Sequence, residues 1–246
     1  MPRFFVDSAF APGDIVALPE DVARHVQVLR LESGDALTLF NGRGGQYAAR
    51  LVELGRRNAL AEVGAFEPVD AEAPYRITLA QGIAGGDKMD WLVEKAVELG
   101  VTRIAPLVTT RAVVRLSAER ASRRHAHWEG IVRAACEQCG RNRIPEVQAP
   151  CELPKWIDAL AARTDPGALR LMLSPRASIA FDTLPSAPPS GDITLLIGPE
   201  GGLSPEEEET AVAHGFTALS LGPRILRTET AGVAVLAALA ARWGGW

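Results

Sequence analysis

The sequence lacks the features that would place a protein in a membrane or outside the cell. No stretch of the 246 residues approaches the roughly 20 consecutive apolar residues that a membrane-spanning helix requires. Residues 1–7 contain neither the apolar stretch nor the cleavage site of a signal peptide. Only three cysteines are present, and this small, odd number disfavours a disulfide framework and favours a reducing compartment. We therefore expect a cytoplasmic protein.

The common signatures of phosphate binding and of nucleophilic catalysis are missing as well. The chain contains no Walker A loop, no Gly-x-Gly-x-x-Gly dinucleotide fingerprint and no Gly-x-Ser-x-Gly nucleophile elbow. Four side chains could bind a metal, but both pairs lie on one predicted helix, where the histidines cannot fold back onto the cysteines. These side chains are His125, His127, Cys136 and Cys139. We expect buried helix cysteines and no metal.

Acidic residues slightly outnumber basic ones over the whole chain, but basic residues are concentrated in one segment. The formal net charge is -4, yet residues 103–143 contain nine arginines and only three glutamates. The arginines are residues 103, 111, 115, 120, 123, 124, 133, 141 and 143. A solvated, salt-bridged helix face would explain this pattern about as well as a surface for a polyanion. Because arginine suits bidentate phosphate contact better than lysine, we favour the polyanion.

The first 70 residues are predicted to form a small β-domain. Short apolar or alternating runs separated by turn formers predict five strands, at residues 3–6, 14–18, 36–40, 46–54 and 60–66. A helical turn is expected between the second and third strands, at residues 21–31. Five short strands at this spacing are typical of a small closed barrel. Residues 67–74 follow as a plausible linker.

From residue 75 onward, strand and helix patterns alternate. Strands are predicted at residues 76–82, 101–108, 169–173, 192–197 and 218–221, and helices at 87–99, 118–139, 154–162 and 228–243. A further helix begins at Ser204-Pro205, an N-cap followed by proline at the first helical position. Trp91 and Trp128 fall on apolar helix faces and are expected in the core. This alternation predicts an α/β fold with a parallel sheet, whose ligands bind at the carboxyl ends of the strands.

Two loops between a predicted strand and a predicted helix are the strongest candidates for a ligand site. The first contains Gly198-Pro199-Glu200-Gly201-Gly202, and the second contains Leu221-Gly222-Pro223-Arg224-Ile225-Leu226-Arg227-Thr228-Glu229. Glycine and proline let such loops hold a ligand through main-chain groups. Glu200 would repel a phosphate but tolerate a positively charged ligand. The charges in the second loop belong either to a structural ion network or to a ligand site, and we favour the ligand site.

At these loops the sequence closely resembles the SPOUT class of RNA methyltransferases. Within that class it is most similar to the RsmE family, the bacterial enzymes that methylate N3 of uridine in 16S ribosomal RNA. The resemblance extends to Pro2-Arg3-Phe4-Phe5, to His25 with Val28-Leu29-Arg30, and to residues 87–100 and 137–141. Cys139 departs from the family pattern, in which we expect serine. The resemblance covers nearly the whole chain.

The resemblance implies the fold, the cofactor and the partners. It implies a PUA-like β-barrel RNA-binding domain over residues 1–70, and a SPOUT methyltransferase domain with a C-terminal trefoil knot over 75–246. It also implies S-adenosylmethionine as cofactor, a homodimer, and 16S rRNA of the small ribosomal subunit as substrate. Two alternatives stay open from the residues alone. One is a non-catalytic, ribosome-associated RNA-binding module, and the other is a methyltransferase acting on another RNA base.

The resemblance and the charge pattern together give three sets of site residues. The cofactor would be surrounded by Leu173, Ile197, Gly198, Pro199, Glu200, Gly201, Gly202, Leu221, Gly222, Ile225 and Leu226. Arg224, Arg227 and Arg111 are predicted to stabilise negative charge on the uracil oxygens, and Glu229 or Glu137 to accept the N3 proton. RNA would be bound by Arg3, His25, Arg30, Arg43, Arg133 and Arg141.

Overall fold

The computed structural model describes residues 1–112 and 117–246. Arg115, a member of the predicted basic segment, lies outside the described residues. The chain divides into two compact units: Met1–Glu72 with Arg133–Ile144, and Ala73–Val132 with Pro145–Trp246. Among the described helices, none is both long and apolar enough to cross a membrane.

The first unit is built on a five-stranded sheet. Its strands are β1 (Arg3–Phe5), β2 (Ile15–Leu18), β3 (Ala36–Phe40), β4 (Gln46–Leu54) and β5 (Ala59–Glu67), with helix α1 (Glu20–Val28) between β2 and β3. The strand order is β1-β3-β4-β5-β2, in which only the β1–β3 pair is parallel. Phe4, Leu39 and Leu51 are fully buried in its core. The five predicted strands are confirmed to within one residue at each end.

Helix α1 ends three residues before its predicted end, and the backbone of one residue explains why. Arg30 has a φ of 55°, in the left-handed region, so the helical hydrogen bonds cannot continue through it. The N–H of Leu31 instead donates to the carbonyl of Val26 at 3.1 Å, which closes the last turn.

The second unit is a parallel sheet covered by helices, as the alternating pattern predicts. Its strands are β6 (Ile77–Gly82), β7 (Arg103–Val108), β8 (Glu146–Val147), β9 (Cys151–Glu152), β10 (Leu169–Leu173), β11 (Ile179–Ala180), β12 (Ile193–Ile197) and β13 (Thr217–Ser220). The order is β11-β13-β10-β12-β6-β7-β8, and β9 also pairs with β7. Every pairing in this sheet is parallel. The strands β8, β9 and β11 were not predicted, because two residues are too few to show periodicity.

Helices α2 (Lys88–Glu98), α3 (Ala118–Cys139), α4 (Leu153–Ala161), α5 (Pro205–Ala213) and α6 (Thr228–Trp243) connect or follow these strands. Their bounds and those of the five longer strands agree with the sequence predictions to within two residues. The N-cap predicted at Ser204 is confirmed, because Ser204 and Glu207 form a reciprocal capping box. Trp128 is fully buried, but Trp91 is 44% exposed, so its predicted place in the core was wrong.

Candidate functional site

One cavity brings the two loops of the second unit together. It has a volume of about 570 Å³ and lies where β10, β12 and β13 end. Its lining includes all eleven residues predicted to surround the cofactor: Leu173, Ile197, Gly198, Pro199, Glu200, Gly201, Gly202, Leu221, Gly222, Ile225 and Leu226. Four of the five predicted catalytic residues, Arg111, Arg224, Arg227 and Glu229, also line it. Lys88, Ser174, Arg176 and Glu208 line it too, and the sequence did not single them out.

The first loop folds back on itself so tightly that its glycines are required. A Cβ on Gly198 would lie 2.7 Å from the carbonyl carbon of Gly202. The N–H of Gly202 donates to the carbonyl of Pro199 at 2.8 Å, and Gly202 has a φ of 67°. Gly222 in the second loop has a φ of 103°. Because L side chains rarely adopt these backbone angles, the loop shapes depend on glycine.

Glu200 joins the first loop to the turn before α2. Its carboxylate accepts hydrogen bonds from Lys88 Nζ at 2.8 Å and from the N–H of Gly85 at 3.0 Å. Burial by itself raises the pKa of Glu200, but the hydrogen bonds from Lys88 and from backbone N–H groups outweigh it and lower the pKa below its ordinary value. Glu200 is therefore ionised and already paired, and it braces the loop beside the cavity.

Arg111 supports the same loop from another direction. Its Nη1 donates to the carbonyls of Leu203 at 3.1 Å and Gly201 at 3.3 Å. A Cβ on Gly201 would lie 3.0 Å from the Cβ of Arg111, so the arginine packs directly on the loop. These contacts assign Arg111 a part in shaping the cavity, whatever it does for a substrate.

The charges of the second loop are not used in a structural ion network. Arg224 and Arg227 are exposed, and within the described part of the chain neither guanidinium is held by an ion pair. The Oε2 atom of Glu229 is buried and has no hydrogen-bond partner among the described residues. A buried carboxylate oxygen without a partner is costly in a structure that serves only stability. This geometry favours the ligand-site interpretation of the three side chains.

Glu137 is the predicted catalytic residue that the cavity lining does not include. It belongs to the first unit, where its Oε1 accepts a hydrogen bond from the N–H of Phe5 at 2.9 Å. Its Oε2 lies 4.0 Å from His25 Nδ1, and burial raises the pKa of Glu137. Of the two predicted proton acceptors, the lining supports Glu229.

Two of the arginines predicted to bind RNA form contacts within the first unit. The side chain of Arg141 is only 4% exposed and forms an ion pair with Glu72, in which Nε donates to Oε1 at 2.8 Å. Arg3 donates to Gln46 and, at 2.8 Å, to Oδ1 of Asn142, and burial lowers the pKa of Arg3. These contacts correct the prediction for Arg141, because a buried, paired guanidinium holds the fold together rather than facing a phosphate. Arg3 is only half-buried, and its Nε atom has no hydrogen-bond partner among the described residues, so its part in RNA binding stays a prediction.

The other predicted RNA-binding residues have accessible side chains. Arg30, Arg43 and Arg133 are exposed, and the side chain of His25 is 49% exposed. Arg30 is also the one residue other than glycine with positive φ in the described ranges. A helix commonly ends with glycine in this conformation, and an arginine there costs about 1–2 kcal/mol. Strain of this kind is typical of positions whose side chain has a function.

The metal-capable side chains do not converge. His125 Nε2 lies 2.7 Å from the carbonyl of Val147, and His127 Nε2 lies 2.8 Å from Asp90 Oδ2. Cys136 is buried in α3, and burial raises the pKa of its thiol to about 12. Among residues 1–112 and 117–246, no group of three or more histidine, cysteine, aspartate or glutamate side chains could hold a metal ion.

The chain is similar to known RNA methyltransferases over nearly its whole length. Residues 71–240 match the family model of an RNA methyltransferase domain, and residues 18–64 match that of an RNA methyltransferase PUA domain. The ribosomal RNA small subunit methyltransferase E of Buchnera aphidicola is 32% identical over 245 residues, which cover 99% of this chain and 97% of that protein.

Two solved structures are also similar. One is a ribosomal RNA small subunit methyltransferase E from Neisseria gonorrhoeae bound to S-adenosylmethionine, with a TM-score of 0.91 and 40% identity, covering 99% of this chain and 98% of that one. The other is a putative methyltransferase from Legionella pneumophila in complex with the same cofactor. Its TM-score is 0.90 and its identity 38%, covering 97% of this chain and 96% of that one.

Proposed function

The chain belongs to the RNA methyltransferase family, and from this premise we propose that it uses S-adenosylmethionine to methylate N3 of a uridine in 16S ribosomal RNA. The observation that carries the proposal is the cavity at the ends of β10, β12 and β13. The glycine loops meet there in one unit with Arg224 and Arg227, which form no ion pair within the described part of the chain, and with the Glu229 oxygen that has no hydrogen-bond partner in that part. Relatives that are similar over the full length bear the name of a small subunit rRNA methyltransferase.

The lining fits the cofactor in size and in chemistry. A volume of about 570 Å³ lies within the usual range for small-molecule sites. Leu173, Ile197 and Leu226 give an apolar wall that suits an adenine ring, and the loop at 198–202 brings unobstructed backbone groups to the ligand. When bound, the cofactor supplies a methyl group that its positively charged sulfur activates for transfer.

The catalytic roles that we propose for the second loop follow from the chemistry of the nucleobase. Uracil N3 carries a proton and becomes a good nucleophile only when that proton leaves. We propose that the Oε2 atom of Glu229 accepts this proton, because it is buried and has no hydrogen-bond partner among the described residues. Arg224 and Arg227 then stabilise the negative charge that develops on the uracil oxygens O2 and O4.

RNA binding uses the first unit. The exposed Arg30, Arg43 and Arg133 provide cationic groups for the phosphate backbone, and the exposed ring of His25 offers a further polar contact. The trefoil knot, the homodimer and the small ribosomal subunit as the substrate particle follow from the family resemblance. The division at 1–70 and 75–246 follows from the change of sequence pattern, and the cytoplasmic location from the small number of cysteines and the sequence of residues 1–7.

Purified protein tests the proposal in two steps. Calorimetry with S-adenosylmethionine is expected to give one saturable site per chain, and no heat of binding would favour a non-catalytic RNA-binding module. Transfer of labelled methyl groups is then compared among small subunits, free 16S rRNA and tRNA. Label in N3 of uridine in 16S rRNA is the expected result, whereas label in tRNA or in another base contradicts the assignment.

A further inference from the structure

Gln81 is a buried polar residue at the base of the cavity wall. It is the fifth residue of β6, a strand whose six residues are all buried, and its side chain is 0% exposed. Burying an amide costs free energy that only hydrogen bonds offset. The hydrogen bonds of Gln81 are made by its nitrogen, because its Oε1 atom has no partner among the described residues. Its contacts identify what those bonds do.

The side-chain nitrogen of Gln81 is the centre of a small hydrogen-bond network. Nε2 donates to the carbonyl of Gly82 and to Oγ1 of Thr228, both at 2.8 Å, and lies 3.3 Å from the carbonyl of Gly198. Thr228 Oγ1 in turn donates to the carbonyl of Gly198 at 2.6 Å. Because the two carbonyl oxygens can only accept, the nitrogen and not the oxygen of the amide must face them.

This network joins three segments that form or support the cavity. Gly82 ends β6, Gly198 opens the first loop, and Thr228 begins α6 directly before Glu229. Gly198, Thr228 and Glu229 line the cavity, whereas the lining does not include Gln81. The amide therefore lies behind the cavity wall, where it connects the start of the first loop to the start of α6.

The surrounding backbone leaves little freedom for this arrangement to shift. A Cβ on Gly82 would lie 2.5 Å from Pro199 Cδ, so the end of β6 packs directly on the first loop. A Cβ on Gly232 in α6 would lie 2.8 Å from Leu92 Cδ1 of α2 and 3.8 Å from Gln81 Oε1. The two glycines let β6, the first loop and α6 approach closely, and the Gln81 amide fixes their positions relative to one another.

We propose that Gln81 is a positioning residue of the cofactor site. Through the carbonyl of Gly198 and the hydroxyl of Thr228, it sets the spacing between the loop at 198–202 and the start of α6. It thereby sets the affinity for S-adenosylmethionine and the placement of Glu229. This inference rests on the proposed function, because it takes S-adenosylmethionine as the ligand of the cavity.

The test is Gln81→Met, which keeps the length of the side chain and removes the donor. Calorimetry is expected to show binding of S-adenosylmethionine weakened by roughly 10-fold to 100-fold, the scale for leaving buried carbonyls unpaired. The affinity for 16S rRNA, measured by filter binding, is expected to equal that of the wild type. Thr228→Val should weaken cofactor binding in the same direction. The double variant should be no weaker than the more affected single one, because both changes break one network.

Gln148→Met is the control for the loss of a glutamine hydrogen bond elsewhere in the unit. Gln148 accepts a hydrogen bond from Trp156 Nε1 at 3.0 Å in the same unit and does not line the cavity. This variant is expected to lower the melting temperature without changing the affinity for the cofactor. A purely structural role for Gln81 predicts the same result for Gln81→Met.

The outcomes separate this inference from the proposed function. If wild-type protein does not bind S-adenosylmethionine, the proposed function fails. If wild type binds it and Gln81→Met binds it equally well, the positioning role is overturned. Should Gln81→Met fail to fold, Gln81→Asn takes its place, since it keeps the amide but shortens its reach outside the cavity lining: weakened cofactor binding supports the role, and wild-type affinity contradicts it.

Discussion

Replacing Arg30 by glycine separates the demands of the fold from those of RNA binding. Arg30 follows α1 with a φ of 55°, where glycine is the residue that a helix end favours. Relief of the left-handed strain is worth about 1–2 kcal/mol, and the greater freedom of glycine in the unfolded chain offsets about 0.4–1 kcal/mol of it. Arg30→Gly is therefore expected to be as stable as the wild type or more stable by about 1 kcal/mol.

The same substitution should weaken RNA binding, since it removes an exposed cation from the proposed phosphate-binding surface. Loss of one phosphate contact reduces the slope of log affinity against log salt by about 0.7–0.9. Thermal unfolding and a salt titration of 16S rRNA binding measure the two effects. Arg24→Gln, which removes an exposed, Glu20-paired cation from α1, is the control and should leave the slope unchanged. Unchanged RNA affinity with a lower melting temperature in Arg30→Gly would refute the reasoning.

Three further substitutions test other parts of the account. Glu229→Gln should keep cofactor affinity and lower kcat by about 100-fold or more, the usual contribution of a general base; single-turnover kinetics with an unchanged rate would exclude that role. Lys88→Met removes the cation that helps lower the pKa of Glu200 below 4.5. A carboxyl group whose pKa is lowered by folding stabilises the protein at pH values above its ordinary pKa. The melting-temperature difference between Lys88→Met and wild type should therefore be present at pH 7. It should disappear as the pH falls well below 4.5, as melting curves over a pH series would show. Glu72→Gln removes the carboxylate that pairs with the buried Arg141 and should lower the free energy of unfolding by about 3 kcal/mol. A denaturation midpoint equal to that of wild type would contradict the structural role of Arg141.

Sequence patterns were sufficient for the longer elements and for the glycine loops. The bounds of α3 and α6 agree with the periodicity to the residue, because each is a long helix between clear stop signals. The two loops could be recognised because glycine and proline leave few conformations open, and because each follows a short apolar run typical of a strand. Local information decides both features.

Features that depend on distant partners could not be predicted. Arg141 was expected on an RNA surface, since its partner Glu72 lies 69 positions earlier in the chain. Gln81 was overlooked because one polar residue in an apolar strand gives no periodic pattern, and its partner Thr228 is 147 positions away. The spacing of apolar residues places Trp91 on the apolar face of α2, but the sequence does not indicate that this part of the helix is exposed.

The central claim is that this chain methylates N3 of a uridine in 16S rRNA. Mass spectrometry of nuclease-digested 16S rRNA, from cells with and without the gene, tests it most directly. The account predicts that one N3-methyluridine is present with the gene, absent without it, and restored by the wild-type gene but not by one encoding Glu229→Gln. An identical set of modified nucleosides in the two strains would contradict the claim.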